Sequence, residues 1–244
     1  MTVGIIVQAR MGSSRLPGKV LEDLAGAPAL VRLFERLRRV KGSPRIVLAT
    51  STLPGDDSIA ALVSTQQDIG LWRGPEQDVL KRYVDAARHF DLDPVVRITA
   101  DCPLMEPTCI DAVLEAYGTT PACQYADNAI PRTFPHGFDV QVVSRLALEL
   151  ADTETTEQSD REHVLTFVSK NPNRFPQAHV TSGDKSLACI RITLDYPEDL
   201  TLIRGIYERL YPRNAQFGLS EILELRTHEP TLFEVNANRR IYGS

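Results

Sequence analysis

Over the first two thirds of the chain, short apolar runs alternate with amphipathic segments, and this constrains the chain to an α/β class with a mostly parallel sheet flanked by helices. Val3 to Ala9 is nearly continuously apolar and reads as a strand covered on both faces. Ala29 to Val40 then places Leu30, Leu33, Phe34, Leu37 and Val40 at helical spacing. Arg32, Glu35, Arg36, Arg38 and Arg39 are left for a solvated face. Further strands are expected at Arg45 to Thr50, Ile69 to Trp72 and Pro94 to Thr99. Between and after them come helices at Ser58 to Gln67, along the face of Val79, Leu80, Tyr83, Ala87 and Phe90, and at Pro107 to Tyr117.

Beyond that point the pattern changes. Phe138, Val140 and Val142 alternate with polar neighbours, as in a half-buried antiparallel strand, and Ala188 to Leu194 reads as another strand. Helices are expected at Ser159 to Ser169, Glu198 to Leu210 and Ser220 to Arg226. With no repeat or long linker, the simplest organisation is one domain over residues 1–244. Residues 1 to about 118 would form its ligand-binding part and about 119–185 an antiparallel elaboration.

Charge narrows the function. Lys and Arg number 27 against 32 Asp and Glu, a net charge of −5, which argues against a protein that coats nucleic acid. Yet eight cations crowd the first 41 positions and hint at a local anion site. Val3 to Val7 is too short for a signal-peptide core or a membrane span, so a cytoplasmic protein with no membrane partner is expected. Cys102, Cys109, Cys123 and Cys189 lack zinc or redox spacing and read as reduced, mostly buried thiols.

The segment QARMGSSRLPGK, Gln8 to Lys19, follows the first strand, where open α/β sheets place ligands. It combines Gly12, Ser13, Ser14 and Gly18 with Arg10, Arg15 and Lys19. Glycines admit close backbone approach, hydroxyls and amides donate, and the cations neutralise anionic oxygens, so a polyphosphate is the natural ligand. The spacing is neither a P-loop nor GxGxxG. Asp101, in TADCPL, should stand at the same sheet edge, although a turn or capping role explains it equally well. Asp195, in LDYPEDL, has the form of a capping box with Glu198.

The run IIVQARMGSSRLPGKVL, Ile5 to Leu21, resembles the opening signature of cytidylyltransferases that make CMP-activated acidic sugars. The nearest branch is the one named after spore coat polysaccharide biosynthesis protein F, related to the CMP-sialate and CMP-ketodeoxyoctonate synthetases. The resemblance implies a nucleotide-diphospho-sugar transferase fold, CTP and a small-molecule acceptor as substrates, Mg²⁺ as cofactor and a homodimer. By resemblance, Arg10, Lys19 and Asp101 are the catalytic candidates, and Asp101 and Asp195 the metal ligands. Nucleotide contacts are expected from Gln8, Ala9, Arg10, Gly12, Ser13, Ser14, Arg15 and Lys19, and from Ala49, Thr50, Ser51 and Gly74 around the base. Acceptor contacts are expected from His136, Asp139, Gln141, Arg161, Glu162 and His163, with the Arg161 fork suited to a carboxylate. Gln141 stands where the branch often has Glu. A glycosyltransferase of the same fold, or a phosphonate acceptor, is the alternative.

Overall fold

The computed structural model describes residues 2–239. It begins with strand β1 (Thr2–Gln8), a hairpin of β2 (Asp23–Leu24) and β3 (Ala27–Pro28), and helix α1 (Ala29–Leu37). There follow β4 (Arg45–Ser51), α2 (Asp57–Ser64), β5 (Ile69–Gly74), α3 (Val79–His89), β6 (Leu92–Thr99) and α4 (Pro107–Thr119). The second half holds β7 (Tyr125–Asp127), β8 (Gln141–Val143), α5 (Arg145–Glu154), α6 (Gln158–His163), α7 (Thr166–Ser169) and β9 (Gln177–His179). Helices α8 (Pro197–Leu210), α9 (Leu219–His228) and α10 (Pro230–Glu234) close the described chain. No described helix is long and apolar enough to cross a membrane.

The main sheet runs β5-β4-β1-β6-β8-β7-β9, with β5, β4, β1 and β6 parallel and β8 antiparallel to both its neighbours. Successive β1 side chains go to opposite faces, as a pleated strand requires. Ile5 and Val7 join the core under α1, α4 and α8, whereas Ile6 joins the core under α3 and α5. The chain steps from β1 to β4 to β5 on one side, then crosses through α3 to β6 on the other side of β1. Strand order therefore reverses between β1 and β6, which opens a crevice at their carboxyl ends.

Several sequence expectations are corrected. Arg32 and Arg36 are buried instead of solvated: Arg32 lies 3.9 Å over the Tyr211 ring and donates to the Leu24 carbonyl, and Arg36 lies 4.3 Å over Phe217. Their long stems and flat guanidinium groups fill apolar space between α1 and α8 while still finding carbonyl or ring partners. Glu35, Arg38 and Arg39 stay at or near the surface as expected. The expected helix Ser159 to Ser169 breaks at Val164, whose φ is 65°, giving α6 and α7. The expected strand Ala188 to Leu194 is a 3-10 turn over Lys185–Cys189 followed by one bridge, His136 to Arg191. Ile190, Ile192 and Leu194 do alternate into the core, but the Leu194 amide is taken by the Asp101 carbonyl at 2.7 Å, so no ladder forms. Of Phe138 to Val142, all three apolar side chains are buried, yet the ladder holds only Gln141–Val143. Of the four thiols, Cys102 and Cys109 are buried and Cys189 is exposed.

Gly137 fixes the approach of the His136 segment to the Arg191 segment. Its φ is +115°, and a Cβ there would lie 2.7 Å from the Ile192 carbonyl oxygen. Gly137→Ala is expected to cost about 1–3 kcal/mol, from positive-φ strain and displaced backbone, read as a lowered urea midpoint at unchanged slope.

Candidate active site

The crevice between β1 and β6 holds a cavity of about 250 Å³. It straddles the end of the sheet. Lys19, Val20, Asp101 and Asp195 wall one side, and Val79, Arg82, Arg97, Glu162 and His163 the other, with Gln8, Ala9, Arg10, Ser13, Ser14 and Arg15 between them.

The glycine and serine loop after β1 is shaped by its own backbone. The amides of Ser13 and Gly18 both donate to the Met11 carbonyl, at 2.9 and 3.1 Å, and the Ser13 hydroxyl accepts from Leu16 N–H at 3.3 Å. Gly18 takes a left-handed conformation, φ 73°, which turns the chain into the 3-10 helix carrying Lys19. Asp56 ties the loop to the sheet: its carboxylate accepts from the Met11 amide at 2.7 Å and from both the amide and hydroxyl of Ser51. Burial tends to raise the Asp56 carboxyl, but these donors outweigh it and hold it below its usual 3.8.

Lys19 occupies the point where the two aspartates converge. Its Nζ lies 2.9 Å from Asp101 Oδ2 and 2.7 Å from Asp195 Oδ1. Burial would lower the ammonium, yet the two carboxylates raise it above its ordinary value. Asp101 likewise suffers from burial but is held below 3.8 by Lys19 and the Thr99 hydroxyl. Arg15 leans on the same pair, with Nη2 3.3 Å from Asp195 and its guanidinium 4.8 Å over the Tyr196 ring.

The capping expectation for Asp195 fails at this point. Tyr196 is the N-cap of α8, and Asp199, not Glu198, accepts from the amides of Asp195 and Tyr196, each at 3.0 Å. Asp195 is thereby left with its oxygens turned to Lys19 and to Arg191 Nη2, 3.2 Å away. Arg191 in turn grips Asp199 through two bonds of 3.0 and 2.8 Å, and Asn236 donates to the same carboxylate at 2.8 Å.

Other candidates lie elsewhere. Ala49, Thr50 and Ser51 are fully buried and Gly74 is buried behind the cavity wall; Ser51 serves the Asp56 turn, whereas the buried Thr50 hydroxyl has no hydrogen-bond partner among the described residues. Gly74 leaves room for Arg82, whose Cγ would stand 3.3 Å from any Cβ there. Gly12 is exposed at the loop tip. His136 and Asp139 are outside the lining. The His136 ring sits 3.2 Å from Arg191, and Asp139 pairs with Arg132 at 2.6 Å. Burial, aided by Arg132 and Arg191, depresses the His136 imidazole below 6.5 despite Asp139. Arg161 is also outside, consumed by Asp78 and Asp152 at 2.7 and 2.6 Å. Gln141 reaches the site indirectly, accepting from Arg97 Nη1 and donating to the Tyr125 hydroxyl, both at 2.8 Å.

Sequence reasoning missed Asp56, Arg82, Arg97 and Arg191. A signal existed for Arg97, a charge inside the apolar run VVRIT, and for Asp56, beside a Pro-Gly turn. Arg82 gave none, because on a helix its spacing reads as surface.

The sequence model of the cytidylyltransferase family matches residues 4–224. The chain belongs to the cytidylyltransferase family. It is accordingly a nucleotidyltransferase enzyme, and two relatives and one solved structure place it within the family. The chain is 29% identical to the spore coat polysaccharide biosynthesis protein SpsF of Bacillus subtilis, over 92% of this chain and 94% of that one. It is 39% identical to the 3-deoxy-manno-octulosonate cytidylyltransferase of Anaeromyxobacter sp., over 47% and 46% respectively. A cytidylyltransferase of Leptospira borgpetersenii superposes with a TM-score of 0.90 at 28% identity, over 99% of both chains. Thus the fold expected from the opening signature is the fold observed.

In this cytidylyltransferase the Arg191–Asp199 pair should dominate the stability of the site. Burial opposes the Asp199 charge, but Arg191 and Asn236 hold its carboxyl below 3.8. Asp199→Asn is expected to cost about 3–5 kcal/mol at neutral pH by stranding Arg191. A depressed carboxyl stabilises above its unfolded pKa, so the difference between wild type and variant should be full above pH 3.8 and shrink as pH falls through the folded value, measured by urea unfolding across pH.

Proposed function

We propose that the enzyme transfers CMP from CTP to a small acceptor, an acidic or otherwise modified sugar, with release of pyrophosphate, in the service of cell-surface polysaccharide synthesis. The observation that carries this reading is the convergence of Lys19, Asp101 and Asp195 beside a glycine and serine loop bearing Arg10 and Arg15. Arg10, Arg15, Lys19 and the loop hydroxyls would hold the triphosphate and fix its α-phosphorus for in-line attack by an acceptor hydroxyl. The new bond is acceptor oxygen to α-phosphorus, and the bond to pyrophosphate breaks. Fixed cations aimed at the phosphate oxygens stabilise charge as it shifts to the leaving group, without a covalent intermediate.

A divalent cation fits the donor set. Two carboxylates that both reach one Lys19 nitrogen can converge equally on one metal ion, and Mg²⁺ favours one or two carboxylates completed by phosphate oxygens and water. Asp101 and Asp195 would hold it, and it would supply charge neutralisation of the phosphates. Arg191 would orient Asp195 for that role, and His136 and Asp139 support Arg191 from behind. The reading includes one domain over residues 1–244 and a homodimer through the region 119–185, where Ile130 and Leu146 are exposed large apolar side chains.

Pyrophosphate release from CTP should appear with some member of a panel of keto-acid sugars, aminosugars and phosphonates. No release with any of them, alongside turnover of a ready-made nucleotide sugar, would favour a glycosyltransferase. With a productive acceptor, Asp101→Ala should lower kcat by about 10²–10³-fold, and full retained turnover would remove Asp101 from the site. Lys19 also makes a prediction of its own sign. Because its ammonium competes for the carboxylates, Lys19→Met should bind Mn²⁺ more tightly than wild type without nucleotide, by about tenfold, while losing about 10²-fold in turnover. Electron paramagnetic resonance of free Mn²⁺ and steady-state kinetics read the two effects.

A further inference from the structure

The two sides of the cavity differ in their charge balance. On the Lys19 side every buried charge has a partner. On the α3 side Arg82 is only 2% exposed, and its Nε and Nη1 have no hydrogen-bond partner among the described residues. Arg97 Nε is similarly buried and unpartnered, while its Nη1 donates to the neutral Gln141 amide. Neither guanidinium has a carboxylate within ion-pair distance among the described residues, although both line the cavity.

Their positions follow from the fold. Val95 faces the core under α3 and Val96 the opposite core, so the strand period brings Arg97 back to the α3 face. Arg82 projects from α3 past Gly74 to the same end of the sheet. Tyr83, next along the helix, donates to the Ile6 carbonyl at 3.2 Å and locks α3 against β1. Burying a guanidinium with idle donors is costly, and two on one cavity wall leave an excess of positive charge there. Such an arrangement persists where an anion completes it, and the planar fork suits the two oxygens of a carboxylate or phosphoryl group.

We propose that Arg82 and Arg97 form the floor of a second anion pocket that takes the acid group of the acceptor, apart from the loop that takes the triphosphate. The proposal rests on the nucleotidyl-transfer reading. It makes these two arginines determinants of acceptor specificity, and it moves the acid-binding role from Arg161, whose fork is already filled, to the wall opposite Lys19. Gln141 then acts as a positioning residue: as a neutral acceptor it orients Arg97 without cancelling its charge.

The test uses the full chain with its loop filled by the non-hydrolysable α,β-methylene analogue of CTP and Mg²⁺. Pyruvate and inorganic phosphate are then titrated separately and followed by calorimetry. One or both should bind, and the tighter of the two identifies the acid class. Arg82→Met and Arg97→Met, which keep volume and remove charge, should each weaken that binding at least about tenfold, and Arg97→Lys less. The melting temperature checks that each variant is folded, and affinity for the CTP analogue should change less than about twofold. The proposal is overturned by wild type binding neither anion, by folded variants binding as well as wild type, or by analogue affinity falling in step with anion affinity, which would give the arginines to the nucleotide. An analogue that fails to bind wild type would defeat the nucleotidyl-transfer reading itself, and this proposal with it.

Discussion

Lys19 between Asp101 and Asp195 is the interaction around which the site is closed. The three groups come from distant parts of the chain: Asp101 lies 82 positions and Asp195 176 positions after Lys19. One sits on the loop after β1, one at the end of β6, and one ahead of α8. Bringing two carboxylates together at a half-buried edge is unfavourable unless a cation stands between them. Arg191 and Asp199 extend the same alternation of charge into the core, and Asp199 also stops the start of α8 from consuming Asp195. The position of α8 and the availability of Asp195 are therefore one physical event.

A parallel device anchors the loop from the other side. Asp56, itself held by Ser51 at the end of β4, takes the Met11 amide and so fixes where the loop leaves the sheet. The loop is pinned at Met11 and at Lys19, while Arg10, Gly12 and Ser14 stay exposed between or beside those pins. Rigid anchors with exposed donors suit a site that must present preorganised charge to a ligand. The family membership and the chemistry of these anchors point the same way.

The first half of the fold was legible because its strands are buried on both faces, which writes them into the sequence as apolar runs, and because its helices carry a one-sided apolar stripe. The second half was less so. β7 and β9 are three residues each, too short for any period, β8 was signalled only by the longer alternation from Phe138 to Val142, and α5 was overlooked because its buried face is only Ala147, Leu148 and Ala151. Ala188 to Leu194 shows a true alternation that never becomes a ladder, because its backbone bonds to the Asp101 carbonyl and to the His136 segment instead. Arg161 and Ser51 show a related limit: a polar residue near the end of an element looks free for a ligand until its partners within the fold are known. Arg82 was overlooked for the opposite reason, since its burial has no marker in the local pattern, whereas Arg97 stands out as a charge inside an apolar run.

Local sequence thus determined the parallel α/β class, the placing of the glycine and serine loop at a sheet edge, and the family, through the run from Ile5 to Leu21. These follow from periodicity and from backbone freedom at a few glycines, both of which act over a handful of residues. Tertiary structure alone decided that Asp195 faces Lys19 while Asp199 does the capping, that Arg32 and Arg36 are buried, and that Arg82 and Arg97 line a cavity without carboxylate partners. Each of those outcomes is a choice among hydrogen-bond and charge partners far apart in the chain, and such choices are made only when the strands and helices come together.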